Sequence, residues 1–182
     1  MLNYSNGWFY FQEPFPYGTL TATPDSRTNT LLADLLPLFK KHGRILSVED
    51  DELCLMYLSG ACSRIEQWAM LPILPAAYLW SEPQPMPPDG FLFLPLRNAV
   101  QAGDQFGFDL LIAAKRITPP TTWPMHLEVG FAAGADVPLD LKLGIFELAL
   151  ALYELRSNPE MIDVYAQVVM NGTLSRYWVP RC

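Results

Sequence analysis

The spacing of apolar positions changes twice along the chain. Apolar residues recur every three to four positions between about 25 and 70. They alternate with polar ones through much of 76–134, then return to helical spacing from 137. The first block predicts two helices. One begins after "DSRTN", where Asp25, Ser26 and Thr28 are candidate N-caps, and its apolar face is Leu31, Leu32, Leu35, Leu36 and Phe39. Pro37 is expected to kink or break it. Gly43 should end it, behind Lys40, Lys41 and His42, which suit the negative end of the helix dipole. The other opens with "SVEDDE", where Ser47 and Asp50 make a capping-box-like start and the acidic side chains meet the positive end of the dipole. That role accounts for the acidic cluster better than a metal or catalytic site does. This helix is expected to reach about Met70. Leu53, Tyr57, Ala61, Ile65 and Trp68 share one face, and Cys54, Leu58 and the Ala61 edge make a second, before Pro72 and Pro75 end it.

The alternating block reads as strands. "AAYLW" (76–80) is one, followed by a stiff proline-rich connection, "SEPQPMPPDG" (81–90). "FLFLPLRNAV" (91–100) and "FGFDLLIAAKRI" (106–117) flank "QAGD", which reads as a hairpin turn, and "MHLEVGFAAG" (125–134) is a further strand.

The stretch "VPLDLKLGIFELALALYELRSNPE" (137–160) has the most apolar helical pattern in the chain. Leu141, Ile145, Leu148, Leu152 and Leu155 form one stripe, and Leu143, Phe146, Leu150 and Tyr153 form another. Between the stripes runs a narrow polar line, Asp140, Glu147 and Glu154, interrupted by Gly144 and Ala151. A surface helix needs one apolar stripe. Two stripes predict either a central core helix or one that serves its own core and a neighbouring subunit together. Beyond it, 161–170 fits a short helix or a strand.

Composition sharpens this picture. Of 182 residues, 51% are hydrophobic and 17% charged, at the apolar end for a water-exposed domain, so a subunit interface is a natural destination for the excess. The net charge of −7 opposes broad attraction to nucleic acid. Three cysteines without a CxxC pair, Cys54, Cys62 and Cys182, fit neither a disulfide framework nor a zinc site; Cys54 and Cys62 read as core packing. The N-terminus lacks a basic region and a small-residue cleavage site, so no signal peptide is expected, and no apolar run is long enough to predict a membrane span. Residues 1–24 are rich in aromatics and proline, including Trp8, Phe9, Tyr10 and Phe11. They could lie on the protein's own core or dock on a neighbouring chain.

Chemistry is sparse. The two histidines, His42 and His126, have no partner at metal-ligand spacing, and neither a nucleophile elbow nor a phosphate loop is present. No catalytic residue, metal or cofactor is expected. From composition and spacing alone the chain reads as an α+β interaction domain that oligomerises.

Several strings go further. "DDELCLMYLSGACSRIEQWAMLPIL" with Trp80 after it, "ITPPTTWP", and "LEVGFAAGADVPLDLKLGIFELALALYELR" resemble, in this order, parts of the head–tail connector (adaptor) family of tailed bacteriophages. Ala135 stands where many members carry an aromatic residue. The resemblance covers roughly residues 25–160. It implies an α+β fold: a small helical bundle of two N-terminal helices and a long C-terminal apolar helix, with a small antiparallel sheet or hairpin; the extended arms expected at both ends lie outside it. The chain then divides into an aromatic arm (1–24), an adaptor-like core domain (25–160) and a C-terminal docking tail (161–182).

The resemblance also implies a non-enzymatic virion protein, made in the host cytoplasm and located in the neck. Its copies would form a homo-oligomeric ring, typically dodecameric, between the portal protein and a downstream neck or tail protein. Genomic DNA would pass through the lumen without specific binding, and no membrane would be involved. Subunit-interface candidates are Leu143, Phe146, Leu150 and Tyr153 on the last long helix, with Tyr57 and Trp68 on the second. Arg176, Tyr177, Trp178 and Arg181 are candidates for docking on the portal, because arginine and aromatic residues are favoured interface anchors. Trp8, Phe9, Tyr10 and Phe11 are candidates for contacts of the N-terminal arm. The competing readings are another head-completion or tail-side structural protein, an unrelated interaction domain, a small hydrolase or lysis-related enzyme, and a nucleic-acid-binding regulator, which the charge opposes.

Overall fold

The computed structural model describes residues 20–23, 27–69, 71–81, 92–93, 99–102, 105–106, 116–117 and 122–177. In chain order the elements are β1 (Leu20–Thr23), α1 (Arg27–Gly43), α2 (Asp51–Ala69), β2 (Ala76–Trp80), β3 (Leu92–Phe93), β4 (Ala99–Ala102), β5 (Gln105–Phe106), β6 (Arg116–Ile117), β7 (Met125–Val129), α3 (Leu139–Glu154) and α4 (Pro159–Asn171), with a closing 3-10 turn at Ser175–Tyr177. The class is α+β, as expected.

The helices pack around α3, which touches α1, α2 and α4. The reason is visible in α3 itself. Leu141, Ile145 and Leu148 from its first stripe are wholly buried, and Phe146 from its second is buried as well. Phe146 meets Phe39 and His42 of α1, each with ring centroids 5.9 Å away. Leu150 and Leu152 are partly buried against the same core. At the far end, Tyr153 stands edge-on to Tyr57 of α2 at 6.0 Å and its hydroxyl donates to Asp50 at 3.2 Å. A helix apolar on two sides thus finds partners on both sides within one chain.

Several expectations need correction. The single long apolar helix over 137–160 is not found. α3 ends at Glu154, and a separate helix starts at Pro159. Proline at the first helical position has no N–H to donate to the preceding turn, and its ring would clash with the carbonyl four residues back, so the helix cannot run through. Asn158 caps the new start, its side chain accepting from the Met161 N–H at 3.4 Å. Pro37 does not break α1, which continues through it. Leu31, Leu35 and Phe39 are all wholly buried on either side of that proline, and this packing holds the turn that the missing hydrogen bond weakens.

The C-terminal segment is not an extended arm as far as it is described. Residues 159–171 form α4, and the following turn lies across α3, where Leu174 and Tyr177 are wholly buried. Gly144 permits this approach: a Cβ there would stand 2.5 Å from Leu174 Cδ2. The polar line of α3 holds the segment on both sides of Gly144. Asp140 accepts from Arg176 at 2.7 Å and from the Tyr177 hydroxyl at 3.0 Å, and Glu147 accepts from the Thr173 hydroxyl at 3.3 Å.

The larger sheet is five-stranded in the order β1-β2-β7-β4-β5, every neighbouring pair antiparallel, and β3 pairs with β6 in a separate two-stranded ladder. β1 makes the end of the expected N-terminal arm an edge strand; Trp8, Phe9, Tyr10 and Phe11 lie outside the described residues. β4 and β5 pair around the expected "QAGD" turn. β7 alternates as its sequence predicts, with Met125, Leu127 and Val129 buried between the exposed His126 and the half-buried Glu128. It stops at Gly130, short of the expected 134. Gly130 has φ 88°, and a Cβ there would stand 2.3 Å from the Leu74 carbonyl oxygen.

The chain crosses from helices to sheet at 71–75, and a buried carboxylate organises that crossing. Glu66 Oε1 accepts from the N–H groups of Ile73 at 2.6 Å and Leu74 at 2.8 Å, and the Ile73 carbonyl accepts from Phe131 N–H at 3.0 Å in the loop that follows β7. Burial pushes the Glu66 carboxyl from its ordinary 4.5 up to about 7, against the two backbone N–H groups that favour its charged form.

Candidate functional site

α4 has two apolar faces of its own. Ile162, Ala166 and Val169 are buried toward the core. Met161, Val164, Tyr165 and Val168 recur at helical spacing on the other side and stay exposed, Val164 by 59% and Val168 by 64%. At the exposed edge of the helix, Arg64 of α2 donates to Asp163 at 2.9 Å. Its charged residues, Glu160 and Asp163, are both acidic. The outer face is therefore an apolar stripe on an acidic helix, with Asp163 paired to Arg64 and Glu160 without an ion pair among the described residues.

A second surface lies where α1 turns into α2. Lys41 N–H is followed by a closure in which Arg44 N–H donates to the Lys41 carbonyl at 3.4 Å and Ile45 N–H donates to the Lys40 carbonyl at 2.9 Å. This is the Schellman pattern, with Arg44 at φ 54° in the left-handed position that glycine usually takes. Gly43, one residue earlier, sits close to α3: a Cβ there would stand 3.0 Å from Leu150 Cδ1. Lys40 ties the turn down through the Ser47 carbonyl, at 2.7 Å, and an ion pair with Asp51. The result is an open groove of about 590 Å³ whose walls are Leu36, Pro37, Ile45 and Leu46, with Lys40, Lys41, Arg44 and Asp51 also lining it. Leu46 is 92% exposed at its edge. Three cations against one carboxylate leave the lining net positive.

The residues expected at interfaces have the following places within the chain. Phe146 belongs to the chain's own core, and Leu150, Tyr153, Tyr57 and Trp68 are half-buried, with Leu150, Tyr57 and Trp68 packed against that core. Leu143 remains 38% exposed. Arg176 and Tyr177 are bound to Asp140, with Arg176 Nε 2.6 Å from Asp140 Oδ2, so Tyr177 cannot reach a partner without leaving α3. Burial pushes the Tyr177 hydroxyl up, and its bond to Asp140 adds to this. Trp178 and Arg181 lie outside the described residues. The exposed α4 stripe was missed as a surface, although "NPE" at 158–160 carries the signal of a helix start: an N-cap asparagine, a proline at the first position and an acid in the first turn.

Cys54 and Cys62 are wholly buried, and burial pushes both thiols up. Among the described residues no group of three or more His, Cys, Asp or Glu side chains could hold a metal ion, and no helix is long and apolar enough to cross a membrane.

No family model and no curated protein matches the chain. Solved structures do. A chain from the neck of an empty gene transfer agent particle, computed with C6 symmetry, matches with a TM-score of 0.56 and 21% identity, over 90% of this chain and 97% of its own. Chains from the virion of a native gene transfer agent particle and from the neck of a native particle computed with C12 symmetry match with the same TM-score and coverage, at 20% and 18% identity. At such identity the likeness is one of fold, and it spans nearly the whole of each chain.

Proposed function

We propose that this chain is a structural protein of the neck of a phage-like particle, acting as a head–tail connector. One observation carries the reading: the fold it shares with neck chains of gene transfer agent particles, over 97% of their length. The neighbours' neck structures carry C6 and C12 symmetry, and a rotationally symmetric assembly needs each copy to present two different surfaces to its neighbours. In this reading copies of the chain form a ring between a portal and the next neck or tail protein, and the ring extends the channel through which DNA passes. The acidic surface fits that role, because a lumen rich in lysine and arginine would hold phosphate rather than let it slide. The role is mechanical and non-catalytic.

The test is the mass of the purified protein, alone and with portal-bearing heads, together with class averages of the particles formed. A closed ring that is a multiple of 20.5 kDa, formed alone or on the heads, is the expected result. A chain that stays monomeric and unattached in both settings overturns the reading.

A further inference from the structure

The two surfaces described above complement each other in shape, apolarity and charge. α4 offers a convex stripe, Met161, Val164, Tyr165 and Val168, on a helix whose charged residues are both acidic. The turn after α1 offers a concave groove with aliphatic walls and a net positive lining. Neither Glu160 on the first nor Lys41 and Arg44 on the second has an ion pair among the described residues, so these charges remain open to a partner. α1 and α4 both pack on α3, with no extensive packing between them, so stripe and groove are separate surfaces of one molecule.

We infer that the α4 stripe of one copy seats in the α1–α2 groove of the next copy, and that this contact is the repeating interface of the ring. The inference rests on the neck reading for the existence of a ring, and on the charge complementarity of the two surfaces for the identity of the occupant. Stripe meeting groove is a heterologous contact: each copy gives one surface and receives the other, so the pattern propagates until it closes. Tyr165 supplies the kind of anchor that dominates such interfaces, an aromatic with a polar tip, and a groove of about 590 Å³ has room for it. Lys41 and Arg44 then face the acidic edge of the incoming helix, which makes assembly weaken as salt rises.

Two variants test the pairing. Val164→Asp with Val168→Asp disables the stripe, and Arg44→Asp with Leu46→Asp disables the groove; aspartate tolerates the left-handed backbone at position 44. All four side chains are exposed, so wild-type circular dichroism and melting are expected. Where wild type sediments as a ring, each variant alone should sediment as a monomer. An equimolar mixture should form a one-to-one dimer and stop, because each variant keeps the surface the other lacks.

If the groove variant dimerises by itself, the stripe pairs with its own copy and the inference is overturned. If neither variant changes the mass of the ring, the surfaces serve another partner; the inference falls and the neck reading stands. If wild type forms no ring alone or on heads, both fall. Should either variant misfold, a chain carrying Leu46→Cys and Val168→Cys, with Cys182→Ser in it and in both single-cysteine controls, replaces it. Mild oxidation should then give a covalent ladder on a denaturing gel that neither single cysteine gives, and the absence of a ladder from assembled rings overturns the inference.

Discussion

α3 and α4 are neighbouring helices with two apolar faces each, and they dispose of them in opposite ways. α3 places Leu141, Ile145 and Leu148 from its first stripe and Phe146 from its second inside the chain's own core, between α1, α2 and α4. α4 buries Ile162, Ala166 and Val169 and leaves Met161, Val164, Tyr165 and Val168 bare. The difference is one of position rather than composition. A helix in the middle of a bundle has neighbours on every side, and a helix at its edge has them on one. An apolar second face therefore marks an interface only when the element lies at the periphery.

The largest expected effect comes from cutting into α3. Leu148→Ala removes a wholly buried side chain from the middle of the core and should cost about 2–5 kcal/mol in chemical denaturation. A loss within the range of surface substitutions would mean that α3 is not the centre of the bundle.

The next effect concerns Glu66, an ionisable group buried in the interior. The Glu66 carboxyl is raised from 4.5 to about 7 by burial, so between those values the folded chain keeps a proton that the unfolded chain has released. Stability should therefore fall as pH rises from about 4.5 to 7 and level off above, by at most about 3 kcal/mol. Glu66→Gln keeps an oxygen for the Ile73 and Leu74 N–H groups and has nothing to titrate, so it should flatten that part of the profile. A variant that retains the wild-type slope would assign the slope to another group.

The smallest effect is expected on α4. Val168→Ser should leave the stability of the monomer within about 0.5 kcal/mol of wild type, while weakening self-association. A loss as large as that of Leu148→Ala would place Val168 inside the fold and erase the contrast between the two helices.

Much of the architecture was legible from local pattern. The acidic first turn and the end of α2, the strand at 76–80, the alternation of β7 and the end of α1 at Gly43 all follow from periodicity, acidic starts and glycine or proline punctuation; the expected cap at Ser47 does not form, because the Ser47 hydroxyl accepts from Glu49 N–H at 3.1 Å in a turn and α2 begins only at Asp51. Pro37 does not break α1, because the packing of Leu31, Leu35 and Phe39 that holds the helix involves residues distant in sequence. Glu66 gave no signal, since a lone glutamate on a helix is ordinarily a surface residue. Its burial depends on the 71–75 crossing folding back to supply two N–H donors.

The α3 polar line shows the same division. Asp140, Gly144 and Glu147 were visible as a break in an apolar helix, but only the folded chain shows what fills it: Thr173, Leu174, Arg176 and Tyr177. By itself the sequence determined the helical character of α1, α2 and α3 and the strand character of β2 and β7, that the class is α+β, and that there is more apolar surface than one helix face needs, because these follow from spacing and composition. The tertiary structure alone decided which apolar face is core and which is bare. Burial depends on what lies opposite each face, and residues far apart in the chain supply it.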